Sequence, residues 1–154
     1  MRGSLTLSIL FTLLVSTLAA GAATGRVIKV LPQFLDLKGQ HTLSPSLYER
    51  DAYQAQLRTH PEQRSGLRFA VQWKTKHAPA AQLKLRVELR GVPKGKLPRQ
   101  LTLEQPVTRK GWFSQWSAIA LTGADYRQFG EMTAWRVTLW DGDQLLSEQR
   151  SFLW

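Results

Sequence analysis

Strict two-residue alternation is the feature that most limits what this chain can become. In Leu67–Lys74 (LRFAVQWK), Leu67, Phe69, Val71 and Trp73 fall on one side, and Arg68, Gln72 and Lys74 on the other. In Leu83–Arg90 (LKLRVELR), Leu83, Leu85, Val87 and Leu89 alternate with Lys84, Arg86, Glu88 and Arg90. Successive side chains of a strand point to opposite faces, so each stretch buries one face and wets the other. One-sided strands of this kind belong to antiparallel sheets.

The rest of the chain extends the pattern. Residues 26–38 (RVIKVLPQFLDLK) read as an opening strand, broken at Pro32 and resumed at Phe34, Leu35 and Leu37. Proline has no N–H to give a ladder, so this strand belongs at an edge or switches sheets there. A strand at about 100–107 carries Leu101 and Leu103 inward, and Gly91 to Arg99 forms the loop before it. Trp112–Leu121 (WFSQWSAIAL) has apolar residues on both faces and reads as a central or covered strand. Trp135, Val137 and Leu139 lie on one face of a strand that turns at Asp141-Gly142 into a last strand over 144–153. Leu145 and Leu146 are adjacent there and cannot share a face, which leaves its register open.

Two segments break the β period. Residues 45–58 predict a helix of about three turns, with Ser44 as N-cap and Pro45 at N1, or Ser46-x-x-Glu49 as a second capping register. Thr122-x-x-Asp125 reads as a capping box opening a short helical turn at about 123–129, with Gly130 as its stop. The expectation is an all-β, two-sheet antiparallel sandwich of about seven strands with an inserted helix over one edge or end.

The N-terminus predicts export. Arg2 precedes an uncharged apolar run from Leu5 to Leu18, followed by Ala20-Gly21-Ala22 as a small-x-small cleavage site. The run is shorter than the roughly 20 residues of a spanning helix, so residues 1–22 read as a secretory signal helix cut after Ala22. An uncleaved N-terminal membrane anchor is the rival. No cysteine follows the run, which excludes a bacterial lipid-anchored form. The whole 154-residue chain lacks cysteine, so the single domain expected over 26–154 is held by packing alone. Thiolate metal sites and a cysteine nucleophile are excluded with it.

Strand number and alternation over residues 26–154 resemble an immunoglobulin-like or fibronectin-III-like domain. Trp73 looks like an inter-sheet core tryptophan, and the helical turn before Trp135 like a crossover before the penultimate strand. The missing cysteine pair and the inserted helix depart from that pattern. The resemblance implies architecture, since this fold hosts many unrelated functions.

Catalytic and metal patterns are sparse. Asp141-Gly142-Asp143 is the start of a calcium loop in composition only; the chain passes straight into a strand, and a hairpin turn accounts for it. His41, His60 and His77 lie in three separate loop contexts without a ligand pair on one element. No Gly-x-Ser-x-Gly elbow is present, and the acids are few. The expectation is a protein that is not an enzyme and uses no cofactor.

Charge offers the better candidate. Residues 58–110 hold thirteen Lys and Arg against Glu62, Glu88 and Glu104, within a formal net charge of +10 for the chain. Arg68, Lys74, Lys84, Arg86 and Arg90, with the Lys94-Lys96-Arg99 loop, are the candidate anion-binding residues. If the two alternating strands pair or adjoin, they make one cationic patch; if they lie in opposing sheets, the charges divide. The alternative site is aromatic: Trp112, Trp116 and Trp140 could stack on sugars or a partner protein, unless the inserted helix covers Trp112 and Trp116 through Tyr53 and Leu57. The expected partner is an anionic envelope component, namely acidic polysaccharide, glycolipid or lipid headgroups, met in the periplasm or outside the cell. Neutral carbohydrate recognition and a protein-assembly role are the alternatives, and nucleic acid is not expected as a physiological partner. The exposure of the three tryptophans decides how far the aromatic reading goes.

Overall fold

Alternation does build strands, and their dry faces meet. The structure, a computed structural model, describes residues 22–78 and 82–154; the expected signal at 1–22 lies outside them but for its last residue. Seven strands form: β1 (Thr24–Asp36), β2 (Arg64–Lys76), β3 (Leu83–Val92), β4 (Arg99–Pro106), β5 (Gln115–Thr122), β6 (Glu131–Asp141) and β7 (Gln144–Arg150). Two helices, α1 (Leu47–Thr59) and α2 (Gly123–Phe129), interrupt them. The strands make a three-stranded sheet in the order β1-β2-β5 and a four-stranded sheet in the order β4-β3-β6-β7, and every pairing is antiparallel. The fold is therefore a two-sheet antiparallel sandwich of seven strands. Among the described residues no helix is long and apolar enough to cross a membrane.

The core is the set the alternation named. Phe69, Val71 and Trp73 of β2, Leu85, Val87 and Leu89 of β3, and Val137 and Leu139 of β6 have no solvent exposure and belong to one cluster. Burying each such side chain stabilises the fold by roughly 1.5–3 kcal/mol. Trp73 keeps its indole N–H satisfied by donating to Ser117 Oγ at 3.0 Å, and Trp135 meets Phe69 edge-on at 6.4 Å. Among the described residues, all members of this cluster and those packed against it lie between Ala23 and Leu146.

Several local expectations change. β1 lies at an edge, as Pro32 requires, but is not broken there: it runs through, because no strand pairs on its outer side to need an N–H at that position. The strand expected at 112–121 starts only at Gln115, so Trp112 and Phe113 lie in the β4–β5 loop, and β5 is an edge rather than a central strand. α1 is capped by Ser46, not Ser44, and without a side-chain bond; Ser44 Oγ instead accepts from the Ser46 N–H at 3.2 Å. A register shift opposite Leu139 and Trp140 resolves the Leu145–Leu146 conflict: Leu145 pairs with Trp140 on the wet face, and Leu146 packs into the core beside Gly25. In the same hairpin, strand β6 runs through Asp141, so Gly142, with φ 56°, and Asp143 form the turn itself. Thr122 is the N-cap of α2 but makes no side-chain bond, so the expected capping box does not close. Gly130 ends α2 as expected, with φ 84°, and a Cβ there would meet the Pro93 backbone at 2.4 Å, so no other residue fits.

α1 lies against β1 and is fastened by polar groups. Gln54 Nε2 donates to the Phe34 and His41 carbonyls, while its Oε1 accepts from the Phe34 N–H at 2.7 Å. Asp36 is buried and accepts from the Lys38 and Gln40 N–H groups at 2.8 Å and from Tyr53 Oη at 2.6 Å. Arg64, with only 3% of its side chain exposed, donates to the Leu57 and Arg58 carbonyls and to Glu131, and stacks 3.9 Å over Phe34.

The Asp36 cluster makes a pH prediction. Burial alone would raise the Asp36 pKa, but the bonds from Tyr53, Gln40 and Lys38 outweigh it, so the folded value lies below the ordinary one. A depressed folded pKa stabilises fully above the unfolded value, about pH 4, and that stability is lost as pH falls through the folded value. Asp36→Asn is expected to cost about 1–3 kcal/mol at neutral pH. Urea unfolding should show this gap narrowing towards about pH 3; a gap independent of pH contradicts the assignment.

Candidate functional site

The two alternating strands lie in opposing sheets, so the single patch of cations does not form. Arg68 and Lys74 stand on the outer face of the three-stranded sheet, and Lys84, Arg86 and Arg90 on the outer face of the four-stranded sheet. Lys94 and Lys96 sit in the β3–β4 loop, beside an open cleft of about 780 Å³ that Arg64, Tyr126, Arg127 and Glu131 also line. Arg99 opens β4 and donates to the Gln128 carbonyl at 3.1 Å.

The four-stranded face is largely neutralised from within. Lys84 Nζ and Arg86 Nε reach Glu104 at 3.1 and 2.6 Å, and these two bonds hold the Glu104 carboxyl below its usual pKa. Arg136 forks onto Glu88 at 2.8 and 2.9 Å. The guanidinium groups also lie over indoles: Arg86 is 4.9 Å from Trp140, and Arg90 and Arg136 are 4.2 and 5.0 Å from Trp154. These cations are committed to acids of their own sheet and to the rings of Trp140 and the C-terminal Trp154. Trp140 is half-covered, donates to Thr138 Oγ1 at 2.8 Å, and serves this ladder rather than an open platform.

The three-stranded face differs from end to end. At the end where β1 finishes, α1 covers it; Arg68 there donates to buried Gln33, and burial lowers its pKa. At the opposite end the face is open. The register pairs Arg26 with Lys74, Thr24 with Lys76, and Lys29 with Gln72, so Arg26, Lys29, Lys74 and Lys76 project from the same side. All four are exposed, and among the described residues none is ion-paired. Thr24, Gly25, Arg26, Lys74, Thr75 and Lys76 line a shallow pocket of about 260 Å³. Of these cations only Lys74 is among the candidates legible in the sequence. Arg26 and Lys29 were legible as β1 residues, but their meeting with Lys74 depends on a strand pairing that alternation does not specify.

The same end carries the aromatic loop. α1 lies on β1 and does not cover Trp112 or Trp116, contrary to the expected role of Tyr53 and Leu57: Tyr53 is bonded to Asp36, and Leu57 is buried under the helix. Trp112 is 96% exposed, Phe113 88% and Trp116 51%. Trp116 pairs with Gln72 on the cationic face. The loop has a fixed base, because Gln115 bridges the Lys110 N–H and the Thr108 carbonyl, both at 2.8 Å, and Gln72 donates to Ser114 Oγ at 3.0 Å. Leaving Trp112 and Phe113 in water forgoes roughly 1.5–3 kcal/mol of burial for each. Arg109 and Lys110, both exposed, precede them.

His41 lies between β1 and α1, His60 directly after α1 and His77 directly after β2, and among the described residues no three His, Asp or Glu side chains cluster as metal ligands. These placements predict contrasting tryptophan variants. Trp112→Ala should change unfolding free energy by no more than about 0.5 kcal/mol, whereas Trp73→Ala should cost about 3–5 kcal/mol. Denaturant titration measures both, and comparable losses would refute the exposed position of Trp112. Comparison of the chain with protein-family models, curated proteins and solved structures finds no match.

Proposed function

We propose that this protein is an exported, non-catalytic binding domain whose open cationic end associates with an anionic component of the cell envelope. The sequence of the first 22 residues supports export, with cleavage after Ala22 or retention as an anchor as its two versions. The three-plus-four division of strands, with crossovers from β2 to β3 and from β5 through α2 to β6, supports reading the sandwich as immunoglobulin-like, of the fibronectin-III-like kind.

The observation that carries the binding reading is a contrast. Among the described residues Arg26, Lys29, Lys74 and Lys76 stand together without an ion pair, while Lys84, Arg86 and Arg136 are matched to Glu104 and Glu88. An unmatched cluster keeps a positive field in solvent and speeds encounter with anions; a matched one does not. The field is screened over about 10 Å at 0.1 M salt, so binding should weaken with ionic strength.

Neutral carbohydrate recognition is the second reading, favoured by the exposure of Trp112 and Trp116. It ranks below the ionic one because Trp112, at 96% exposure, has almost no neighbours to fix a stacking platform.

Dextran sulfate, a soluble polyanion, separates these readings. Binding is expected at low salt, falling steeply as salt rises. Arg26→Ala combined with Lys74→Ala and Lys76→Ala should weaken it roughly tenfold or more, while Lys84→Ala with Arg86→Ala should change it less than about threefold. Equal losses from both sets overturn the assignment to the three-stranded face. Fluorescence quenching by neutral oligosaccharides, unaffected by salt and abolished in Trp112→Ala, supports the second reading instead.

A further inference from the structure

The β4–β5 loop has a feature that a polyanion does not require. Its base is held by Gln115 and Gln72, yet its tip presents Trp112 and Phe113 almost wholly to water, beyond Arg109 and Lys110. An acidic polysaccharide in solution offers ionic contacts but no apolar phase for two large rings. A bilayer offers both: aromatic side chains settle at the headgroup level, and basic residues near the surface meet anionic lipids.

We propose that this end of the sandwich docks onto an anionic phospholipid surface, with Trp112 and Phe113 entering the interfacial layer. The inference rests on the ionic reading above and names its partner. Arg26, Lys29, Lys74 and Lys76, together with Arg109 and Lys110, supply the charge that complements the headgroups, and the shallow pocket between Arg26, Lys74 and Lys76 is open to one of them. Trp116 stands on the same face, one pair of positions inward from Lys74. Acids near this end include Asp141 and Asp143 of the β6–β7 hairpin and Glu148 of β7, whose neighbour Ser147 accepts from the Val27 N–H at 3.0 Å; all three belong to the other sheet, and none is ion-paired with these cations among the described residues. Thr24, where β1 begins, pairs with Lys76 at this end, so the chain enters the fold beside the docking surface.

The test uses the chain from Ala23, which contains every described core residue and is first shown to fold by a melting curve, so that the apolar run contributes nothing. Co-sedimentation with phosphatidylcholine vesicles is compared with vesicles that also contain phosphatidylglycerol, and dextran sulfate binding is measured in parallel. The parent is expected to bind only the anionic vesicles appreciably. Trp112→Ser with Phe113→Ser should weaken vesicle binding about tenfold or more while leaving dextran sulfate binding within about twofold. Arg26→Ala with Lys74→Ala should weaken both, by about fivefold for each cation removed at the vesicle surface. A melting curve confirms that each variant is folded.

Vesicle binding unchanged in the Trp112/Phe113 variant overturns loop insertion and leaves the ionic reading intact. Binding to dextran sulfate without binding to anionic vesicles overturns the lipid partner in favour of a polysaccharide. Binding to neither overturns the ionic reading as well.

Discussion

The contact between the dry faces of β2 and β3 is what everything else in this molecule depends on. Phe69, Val71 and Trp73 on one strand and Leu85, Val87 and Leu89 on the other are fully buried in one cluster, and no cysteine exists to cross-link the sheets. A hydrophobic interior of this size can hold a domain of this length without covalent help. Its geometry also dictates the outside. Because the side-chain period is two, a residue pinned inward sends both its neighbours outward. Trp73 thus fixes the direction of Gln72 and Lys74, and Val87 that of Arg86 and Glu88.

Charge then divides by sheet. On the four-stranded face, β3 lies between β4 and β6, and both neighbours bring partners to its cations and acids: Glu104 to Lys84 and Arg86, and Arg136 to Glu88. Exposed ion pairs add little stability each, but they cancel the field that the face would otherwise project. On the three-stranded face, the strand pairings set like beside like, with Arg26 opposite Lys74. Like charges directly opposite each other are unfavourable in a sheet. Their retention on a well-formed ladder is a small cost to folding, which an anion would relieve.

Legibility in the sequence followed the range of the interaction. Strand identity and facing are local, so Leu67–Lys74 and Leu83–Arg90 were readable with every inward residue correct. The inserted helix, the α2 turn and its Gly130 stop were also readable, since helical periodicity and left-handed positions are local, although neither helix makes the side-chain cap bond its sequence offers. Sheet membership is not local, and the candidate anion residues were drawn from strands that turned out to lie on opposite sides. The β4–β5 loop shows a different failure. Trp112 and Phe113 have strong strand preference, and their apolar character suggested a covered position; the turn at Gly111, with φ 83°, and the Gln115 bridge keep them out of the ladder. Aromatic residues left in water by such a loop do not differ in composition from aromatic residues of a core strand.

The central claim is that one end of the three-stranded sheet, and not the basic four-stranded face, is the surface that meets an anion. Amide hydrogen exchange, read with and without an anionic ligand surface, measures this directly. The account predicts slowed exchange in residues 24–29, 72–76 and 108–116, with β3, β4 and the loop at 93–98 unchanged. Protection centred on 84–90 and 100–105, with the β4–β5 loop still exchanging freely, would contradict it.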